Sequence, residues 1–283
     1  MKRIVSFCVF GSDPIYRVGA LANVALAQEH YPGWTPRFYV STELPAGFAA
    51  DLRALGAEVV MRAPCRPADA MLWRARPMNE RRLDALIVRD ADSRISGREA
   101  AAVEEWLASG RGFHIMRDHP DHCHAVMGGM WGCRANMLPH FPVLHVLWRV
   151  MHRARGSRAY ARRHGADQLF LREMIYPLVR GDALIHSDLV RFEGEEPRPF
   201  PTPRRGLEFV GQIVRADGST VERHLELLRA AVPRDYSLEA PPLATRWIAA
   251  ARRNSWLRVL AKRICMRAAT SGATNGANGV TLD

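Results

Sequence analysis

The sequence predicts an α/β fold in which a mostly parallel mixed sheet is flanked by helices. Short apolar runs alternate with longer segments whose apolar residues recur at helical spacing. Clusters of Gly, Pro and Asp separate these segments, as turns require. Regular strand–helix alternation is typical of βαβ units, and βαβ units build parallel sheets.

Turn residues delimit the elements of the first third of the chain. A strand over Ile4–Phe10 ends at a Gly-Ser-Asp turn, and the Ala- and Leu-rich segment Val18–His30 has helical spacing up to Tyr31-Pro32-Gly33. A polar, arginine-rich stretch at 62–82 precedes an apolar run that ends at Arg89. Between the segment Val18–His30 and the arginine-rich stretch, we predict a strand over Arg37–Val40, a helix over Pro45–Leu55 closed by Gly56, and a strand over Ala57–Met61.

The most clearly marked helix is Ser96–Ala108. Ser96 and Glu99 have capping-box spacing, which satisfies two free N–H groups of the first turn. Gly110 lies just past the helix end, where a left-handed cap favours glycine. The same periodicities predict strands over Phe113–Met116, Ala183–His186 and Leu207–Ile213, and helices over Val143–Arg153, Asp167–Val179 and Val221–Ala231.

The character of the sequence changes near Pro197. Four prolines within seven residues form a linker-like run, and the last residues are rich in Gly, Asn, Thr and Ala. We therefore divide the chain into a catalytic domain over 1–196, an extension of unknown role over 197–268 and a disordered tail over 269–283.

The composition is that of a soluble globular protein with a strongly basic balance. Apolar residues make up 48% and charged residues 24% of the 283 residues, and the formal net charge is +11. Almost all of the positive charge is arginine. Such a surface favours nucleic acid, anionic lipid or phosphorylated substrates. The arginines are scattered and no nucleic-acid module is visible, so we expect no specific nucleic-acid partner.

The five cysteines form no CxxC pair and no even framework, which favours a reducing compartment. The apolar run after Met1-Lys2-Arg3 is too short for a signal peptide, and no stretch is long enough for a transmembrane helix. We expect a cytoplasmic protein. The basic, tryptophan-containing segment Ala244–Ala268 suggests weak contact with the inner membrane face, although its arginines do not gather on one side of a helical wheel.

Asp90 and Asp92 form an Asp-x-Asp pair directly after an apolar run. Average composition gives about one chance match in a chain of this length, but this pair stands at a predicted strand end. Ligands of open α/β sheets bind outside the carboxyl ends of the strands. Mg²⁺ binds one or two carboxylates together with substrate phosphates. Arg89 and Arg94 flank the pair and are candidate phosphate contacts, whereas a simple strand-end turn is the alternative.

Histidines and aspartates crowd the window from His114 to His124. His119, His122 and His124 resemble part of a zinc cluster, but no second ligand pair stands at a matching distance. A polar loop at the rim of the sheet that touches substrate, with Asp118 as a contact, is the favoured interpretation. Ordinary surface histidines are the alternative.

Three further segments are candidates for the site. Gly129 and Trp131 belong to a Gly-Gly-Met-Trp-Gly run. This run either lets the backbone approach a ligand beside the indole ring, or it places a tryptophan in the core. Asp167, followed by Gln168, either caps a helix or acts on the reacting centre. His186 ends a late strand and is a candidate third metal ligand.

These blocks together resemble the GT-A class of nucleotide-sugar glycosyltransferases, over roughly residues 4–190. The resemblance rests on four features: the Asp-x-Asp strand end, the Gly-Gly-Met-Trp-Gly run, the Gly-Ala-Asp-Gln segment at 165–168 and His186. With Gly19–Asn23 and Tyr31–Trp34, the chain is similar to uncharacterised bacterial glycosyltransferase-like proteins. The resemblance implies a Rossmann-like sandwich that binds a nucleoside-diphosphate sugar and Mn²⁺ or Mg²⁺.

The resemblance also implies roles. Asp92 and His186 would ligate the metal, and Asp90 would contact metal or ribose. Asp167 would face the donor sugar or the reacting centre. The nucleotide would be bordered by Phe10, Gly11 and Tyr16. The acceptor, a glycan, a lipid or a polysaccharide precursor, and the stereochemistry stay open.

Three other functions remain open at this point. A metal-dependent nucleotidyltransferase or phosphotransferase would use the same carboxylates. A non-catalytic nucleotide-sugar or glycan-binding protein would keep the fold and lose turnover. A basic nucleic-acid-binding protein would show strongly salt-dependent binding.

Overall fold

A computed structural model describes residues 1–138, 141–154 and 165–236, and it shows a seven-stranded mixed sheet flanked by helices. The predicted fold class is confirmed. The strand order in the sheet is β3-β2-β1-β4-β6-β5-β7. The strands are β1 (Lys2–Val9), β2 (Thr35–Ser41), β3 (Glu58–Arg62), β4 (Leu83–Arg89), β5 (Phe113–Arg117), β6 (Met130–Arg134) and β7 (Ala183–Ser187).

All neighbouring strands of this sheet pair in parallel except β6, which runs antiparallel to both β4 and β5. The chain moves outward from β1 through β2 to β3, and then returns to place β4 on the other side of β1. The strand order therefore reverses between β1 and β4. Open α/β sheets bind ligands in the crevice at the carboxyl ends of the strands beside such a switch point.

Helices connect the strands and cover both faces of the sheet. They are α1 (Pro14–His30), α2 (Ala46–Ala54), α3 (Pro67–Ala70), α4 (Gly97–Ser109), α5 (Phe141–Ala154), α6 (Ala166–Phe170), α7 (Tyr176–Val179) and α8 (Glu222–Arg229). A 3₁₀ segment, Met71–Asn79, follows α3. A small two-stranded parallel sheet pairs β8 (Val190–Phe192) with β9 (Arg234–Tyr236).

The central strands are buried on both faces, so their side chains feed two cores. Along β1, Ile4 belongs to one apolar cluster and Val5 and Phe7 to the other. This division follows from the two-residue period of a strand. Trp131 and Trp148 lie in the first cluster, and Trp106 lies in the second.

Local capping explains where the helices begin. Helix α1 starts four residues earlier than predicted, because the Asp13 side chain accepts from the Ile15 N–H and Pro14 occupies the first turn. The Ser96 hydroxyl accepts from the Glu99 N–H, and Gly110 adopts φ 74° after α4, as predicted. Glu99 does not complete the capping box, because its buried carboxylate pairs with Arg89 instead.

Two further sequence predictions differ from the structure. The predicted helix Asp167–Val179 is interrupted by a π-helical turn over Leu171–Ile175. The predicted strand Leu207–Ile213 does not form. This segment makes turns and a single antiparallel bridge between Ile213 and Ser93, because its backbone is tied to loops at the sheet edge.

The part of the extension that the structure describes, residues 197–236, packs against the sheet. Its anchor is Asp118, a buried carboxylate just after β5, which accepts from Arg204, Arg98 and the Val210 N–H. The bridge between Arg198 and β7 continues the sheet edge. The expected tail over 269–283 and the basic segment Ala244–Ala268 lie outside the described residues. Among the described helices, none has the length and apolar character to cross a membrane.

Stability should fall in mild acid because several histidines are buried. Burial lowers the pKa of five histidines below the ordinary value of 6.5: His114, His119, His122, His145 and His186. That of His145 falls to about 4. At pH values between the ordinary histidine pKa and these lowered values, the unfolded chain binds more protons than the folded protein. The free energy of unfolding therefore decreases as pH falls below about 6.5.

Urea unfolding at pH 7 and pH 5 checks this expectation, with a lower midpoint expected at pH 5. The His145→Gln variant should show a smaller change between the two pH values than the wild type, since one depressed titration is removed. Equal midpoints at pH 7 and pH 5 in the wild type would contradict it.

Candidate active site

A cavity of about 430 Å³ opens at the carboxyl ends of β1 and β4, at the switch point of the sheet. It is lined by six of the residues selected from the sequence: Phe10, Tyr16, Asp90, Asp92, Asp167 and Gln168. The structure brings these six residues together around one cavity. Their individual chemical roles stay predictions.

The turn after β4 is positioned by helix α1. The Asn23 side chain donates to the carbonyl of Ser93 at 2.7 Å and accepts from the Ile95 N–H at 3.0 Å. A Cβ on Gly19 would collide with the carbonyl of Ala91, so only glycine allows the helix this close. The Gly19–Asn23 segment therefore supports the Asp-x-Asp turn from beneath.

Arg74 joins two of the carboxylates. Its Nη2 lies 2.8 Å from Asp167 Oδ2, and its Nη1 donates to Asp90 Oδ1. The side chains of Arg74 and Asp167 are 6% and 5% exposed, whereas that of Asp90 is 45% exposed. Burial by itself would lower the pKa of Arg74, but the neighbouring Asp90, Cys8 and Asp167 hold it above its usual value. Arg74 is thus a fixed cation between the two aspartates.

The two glycines before β6 make room for this bridge. A Cβ on Gly128 would collide with the Asp167 carboxylate, and one on Gly129 would collide with the Asp90 carboxylate. The close approach predicted for the Gly-Gly run is present, but it accommodates the chain's own carboxylates. Gly128 lines the cavity and Gly129 does not.

Asp167 does not cap its helix. Gly165 is the N-cap of α6, and no side chain caps that end. Asp167 instead lies in the first helical turn, and its carboxylate is directed to Arg74. The helix-capping alternative for Asp167 is therefore wrong.

Tyr16 and Phe10 border the part of the cavity next to the Asp-x-Asp turn. Burial, followed by the charges of Asp92 and Asp90, raises the pKa of the Tyr16 phenol to about 12. The hydroxyl therefore keeps its proton at neutral pH and is able to donate it in a hydrogen bond. The Phe10 ring meets Trp73 edge-on at 6.0 Å.

Cys8 also lines the cavity, but its thiol is not a nucleophile at neutral pH. Burial raises the pKa of Cys8 to about 12, and thiolate is the reactive form. We expect iodoacetamide at pH 7.5 to label the exposed Cys123 and to leave Cys8 unmodified. Peptide mass spectrometry measures both sites in one digest. Labelling of Cys8 in the folded protein at a rate similar to that of Cys123 would contradict the assignment.

His186 is not brought to the aspartates. It lies on β7, three strands from β4, and does not line the cavity. Its Nδ1 pairs with His114 Nε2 at 2.8 Å and its Nε2 faces Glu105 at 3.2 Å. Both ring nitrogens are therefore occupied, and the prediction that His186 is a third metal ligand is wrong.

Other predicted contacts are structural instead, because their polar groups are bound within the protein. Arg89 pairs with Glu99 at 2.7 Å and donates to the carbonyl of Gly129 at 2.7 Å. Trp131 is 1% exposed and stacks on Phe113, so the core interpretation of this tryptophan is the correct one. Outside the cavity lining lie Gly11, Arg89, Arg94, Asp118, Gly129 and Trp131.

Four residues form a second part of the lining, which we call the histidine wall: His119, His122, Phe209 and His224. The rings of His119 and Phe209 stack at 4.4 Å. Within the described ranges, no group of three or more His, Cys, Asp and Glu side chains is arranged to hold a metal. The zinc-like interpretation of the histidine window therefore has no support in the structure.

Sequence reasoning missed Arg74 and two of the four members of the histidine wall, Phe209 and His224. Arg74 stands in an arginine-rich stretch with no motif of its own, and its partners Asp90 and Asp167 are 16 and 93 residues away. Phe209 and His224 belong to the extension, whose return to the cavity depends on the buried anchor at Asp118. No local pattern signals either contact.

Comparison with known proteins gives structural neighbours only. No protein-family model and no curated protein matches the chain. A mannosyl-3-phosphoglycerate synthase from Rubrobacter xylanophilus is 17% identical, with 49% of this chain and 54% of that chain aligned and a TM-score of 0.34. The chain thus spans about half the length of that synthase.

Two further neighbours align over a larger share of their own length. A glycosyltransferase involved in glycosylation of the major capsid of PBCV-1 is 10% identical over 68% of this chain and 85% of that chain, with a TM-score of 0.42. A 4-diphosphocytidyl-2C-methyl-D-erythritol synthase is 16% identical over 50% and 78%, with a TM-score of 0.35. The neighbours thus include named glycosyltransferases.

Proposed function

We propose that this protein is a metal-dependent glycosyltransferase that moves a sugar from a nucleoside-diphosphate donor to an acceptor hydroxyl. The supporting observation is the charge of the cavity at the switch point. Four aspartates line it (Asp90, Asp92, Asp121 and Asp167), and Arg74 is the only arginine or lysine in the lining that the structure describes. Arg74 is already paired with two of these carboxylates.

Such a cavity repels a diphosphate unless a cation enters with it. Burial lowers the pKa of His119 and His122, so these rings add no positive charge at neutral pH. Four carboxylates and one guanidinium leave three negative charges facing the ligand. A divalent cation resolves this repulsion, because carboxylates and phosphates together are the ligands that Mg²⁺ prefers.

The residues present fit such a cation. Two carboxylates at the strand end supply hard oxygen ligands: that of Asp92, and that of Asp90 through Oδ2, since Arg74 donates to Oδ1. Two carboxylates suffice, since a diphosphate and water complete the coordination. When bound, the cation would stabilise the charge that develops on the leaving diphosphate.

The chain's own residues would place the donor substrate. The Tyr16 hydroxyl and the Phe10 ring would border the nucleotide, and Asp167 with Gln168 would bind hydroxyls of the donor sugar. Arg74 would fix the Asp167 carboxylate. The acceptor oxygen forms a bond to the anomeric carbon, the carbon–oxygen bond to the diphosphate breaks with its electron pair leaving on the diphosphate, and the hydroxyl proton passes to water or a carboxylate.

Product analysis tests this proposal. The full-length protein is incubated with Mn²⁺ and UDP-, GDP-, CDP- and dTDP-sugars in the presence of methyl glycosides as acceptors. A parallel incubation contains Mn²⁺, nucleoside triphosphates and sugar 1-phosphates, and the released phosphates are separated by ion-exchange chromatography. The proposal predicts release of one nucleoside diphosphate that stops when EDTA is added. Release of pyrophosphate from nucleoside triphosphates and sugar phosphates, with no diphosphate from any sugar nucleotide, would show a nucleotidyltransferase instead. Binding of a sugar nucleotide with no product of either kind would indicate a non-catalytic binder.

A further inference from the structure

The histidine wall contains a hydrogen-bond donor on a mostly buried side chain, and that donor has no partner among the described residues. His122 is 7% exposed and lines the cavity. Its Nδ1 accepts from the Asp118 N–H at 2.9 Å, so in the neutral ring Nε2 carries the proton. His122 borders the cavity, so a ligand or water bound there is able to accept from this N–H group.

His119 has a different role, because both of its nitrogens are used within the protein. Its Nδ1 accepts from the Asp121 N–H at 3.1 Å, and its Nε2 donates to the carbonyl of His224 at 2.9 Å. The stacked rings of His119 and Phe209 therefore form a fixed aromatic pair beside the His122 donor. Aromatic surfaces of this kind pack well against the C–H face of a small ring.

The extension completes this surface. Gly211 adopts φ +85°, and a Cβ there would lie 3.4 Å from His122 Cε1 and closer still to Met130. Val214 N donates to the carbonyl of Asp92 at 2.9 Å, so the same segment touches the Asp-x-Asp turn. The histidine wall and the proposed diphosphate site are thus parts of one cavity and are held by one segment.

We propose that the histidine wall is the acceptor subsite of the proposed transferase, and that it takes a neutral, hydroxyl-bearing sugar whose oxygen accepts from His122 Nε2. This inference rests on the proposed function. A phosphorylated or carboxylated acceptor would meet the Asp121 carboxylate, and the described lining offers it no unpaired guanidinium or ammonium group. A hydroxyl group suits the site, because it donates to a carboxylate and accepts from an imidazole N–H.

Two substitutions separate binding by His122 from its structural role. The amide oxygen of asparagine takes the place of Nδ1 and keeps the bond to Asp118 N–H, but it removes the Nε2 donor. The amide nitrogen of glutamine takes the place of Nε2 and removes the Nδ1 acceptor. A binding role predicts that His122→Asn weakens acceptor binding about tenfold, the size of one lost hydrogen bond. It also predicts that His122→Gln retains more binding than His122→Asn, and a merely structural role predicts the reverse order.

Saturation-transfer NMR with methyl glucoside, methyl galactoside, methyl mannoside and 3-phosphoglycerate makes the measurement. Diamagnetic Mg²⁺ is present together with whichever of UDP, GDP, CDP and dTDP binds the wild type most tightly. His30→Asn, a histidine at the end of α1 outside the cavity lining, is the matched control. We expect at least one glycoside to bind and 3-phosphoglycerate not to bind. Glycoside binding should be weakened in His122→Asn and unchanged in His30→Asn.

Three results would overturn the inference: 3-phosphoglycerate binds in preference, no glycoside binds, or His122→Asn binds as well as His30→Asn. A parallel titration of the wild type with nucleoside diphosphates and Mn²⁺ distinguishes failure of the acceptor inference from failure of the proposed function. If a diphosphate binds and the glycosides fail, only the acceptor inference falls. If no diphosphate binds, the proposed function falls with it.

Discussion

Replacing Arg74 with methionine should lower the free energy of unfolding by about 3–5 kcal/mol, the usual cost of removing one partner of a buried ion pair. The cost arises at Asp167, whose side chain is only 5% exposed and would lose its cation. Methionine has a similar length, so the loss of packing is small compared with the uncompensated charge. Equilibrium unfolding in urea measures the change.

A double variant identifies the cause. If the buried carboxylate is responsible, Arg74→Met combined with Asp167→Asn should be more stable than Arg74→Met alone. The matched control is Arg191→Met, which removes an exposed pair with Asp235 and should leave the midpoint unchanged. An Arg74→Met protein as stable as the Arg191→Met protein would mean that the bridge does not hold Asp167 in solution.

Asp92→Asn should reduce metal-dependent turnover of the donor by about 10²–10³-fold. A bound cation supplies several kcal/mol to the transition state, and each 1.36 kcal/mol is worth a factor of ten. The fold should survive, because the hydrogen bond that ties residue 92 to the extension uses its backbone carbonyl. Steady-state kinetics at saturating Mn²⁺ measure the loss, and circular dichroism checks the fold.

Asp84→Asn is the control for this experiment. Asp84 belongs to the same strand, β4, but lies near its first residue, where it pairs with Arg3 at 2.8 Å. Removing that carboxylate changes the net charge equally and leaves the cavity untouched, so turnover should stay at the wild-type level. Equal activities of the Asp92→Asn and Asp84→Asn proteins would exclude Asp92 from the proposed metal site.

The fold and one half of the site follow from local sequence patterns. The apolar run before Asp90 is a buried strand, and the chain must leave the sheet at its carboxyl end. This places Asp90 and Asp92 at the ligand crevice whatever the distant contacts are. The Ser96 cap and Gly110 fix α4 in the same local way.

The other half depends on contacts between distant residues. The sequence alone does not show whether a metal ion or an arginine balances the charge of neighbouring carboxylates. In the structure, Arg74 bridges Asp90 and Asp167. His186 looked like a ligand because it ends a strand. The sheet order, with β6 inserted antiparallel, moves that strand away from β4. The histidine wall depends on the extension, whose fold is set by the buried Asp118.

Calorimetric titration of the wild-type protein with UDP, GDP, CDP and dTDP, once with Mn²⁺ and once with EDTA, tests the central claim most directly. The cavity has an excess of carboxylates, so we predict that one diphosphate binds with Mn²⁺ and that none binds with EDTA. Equal affinity for a diphosphate in EDTA would contradict the cation requirement. A folded sample that binds no diphosphate under either condition would contradict the nucleotide-sugar site itself.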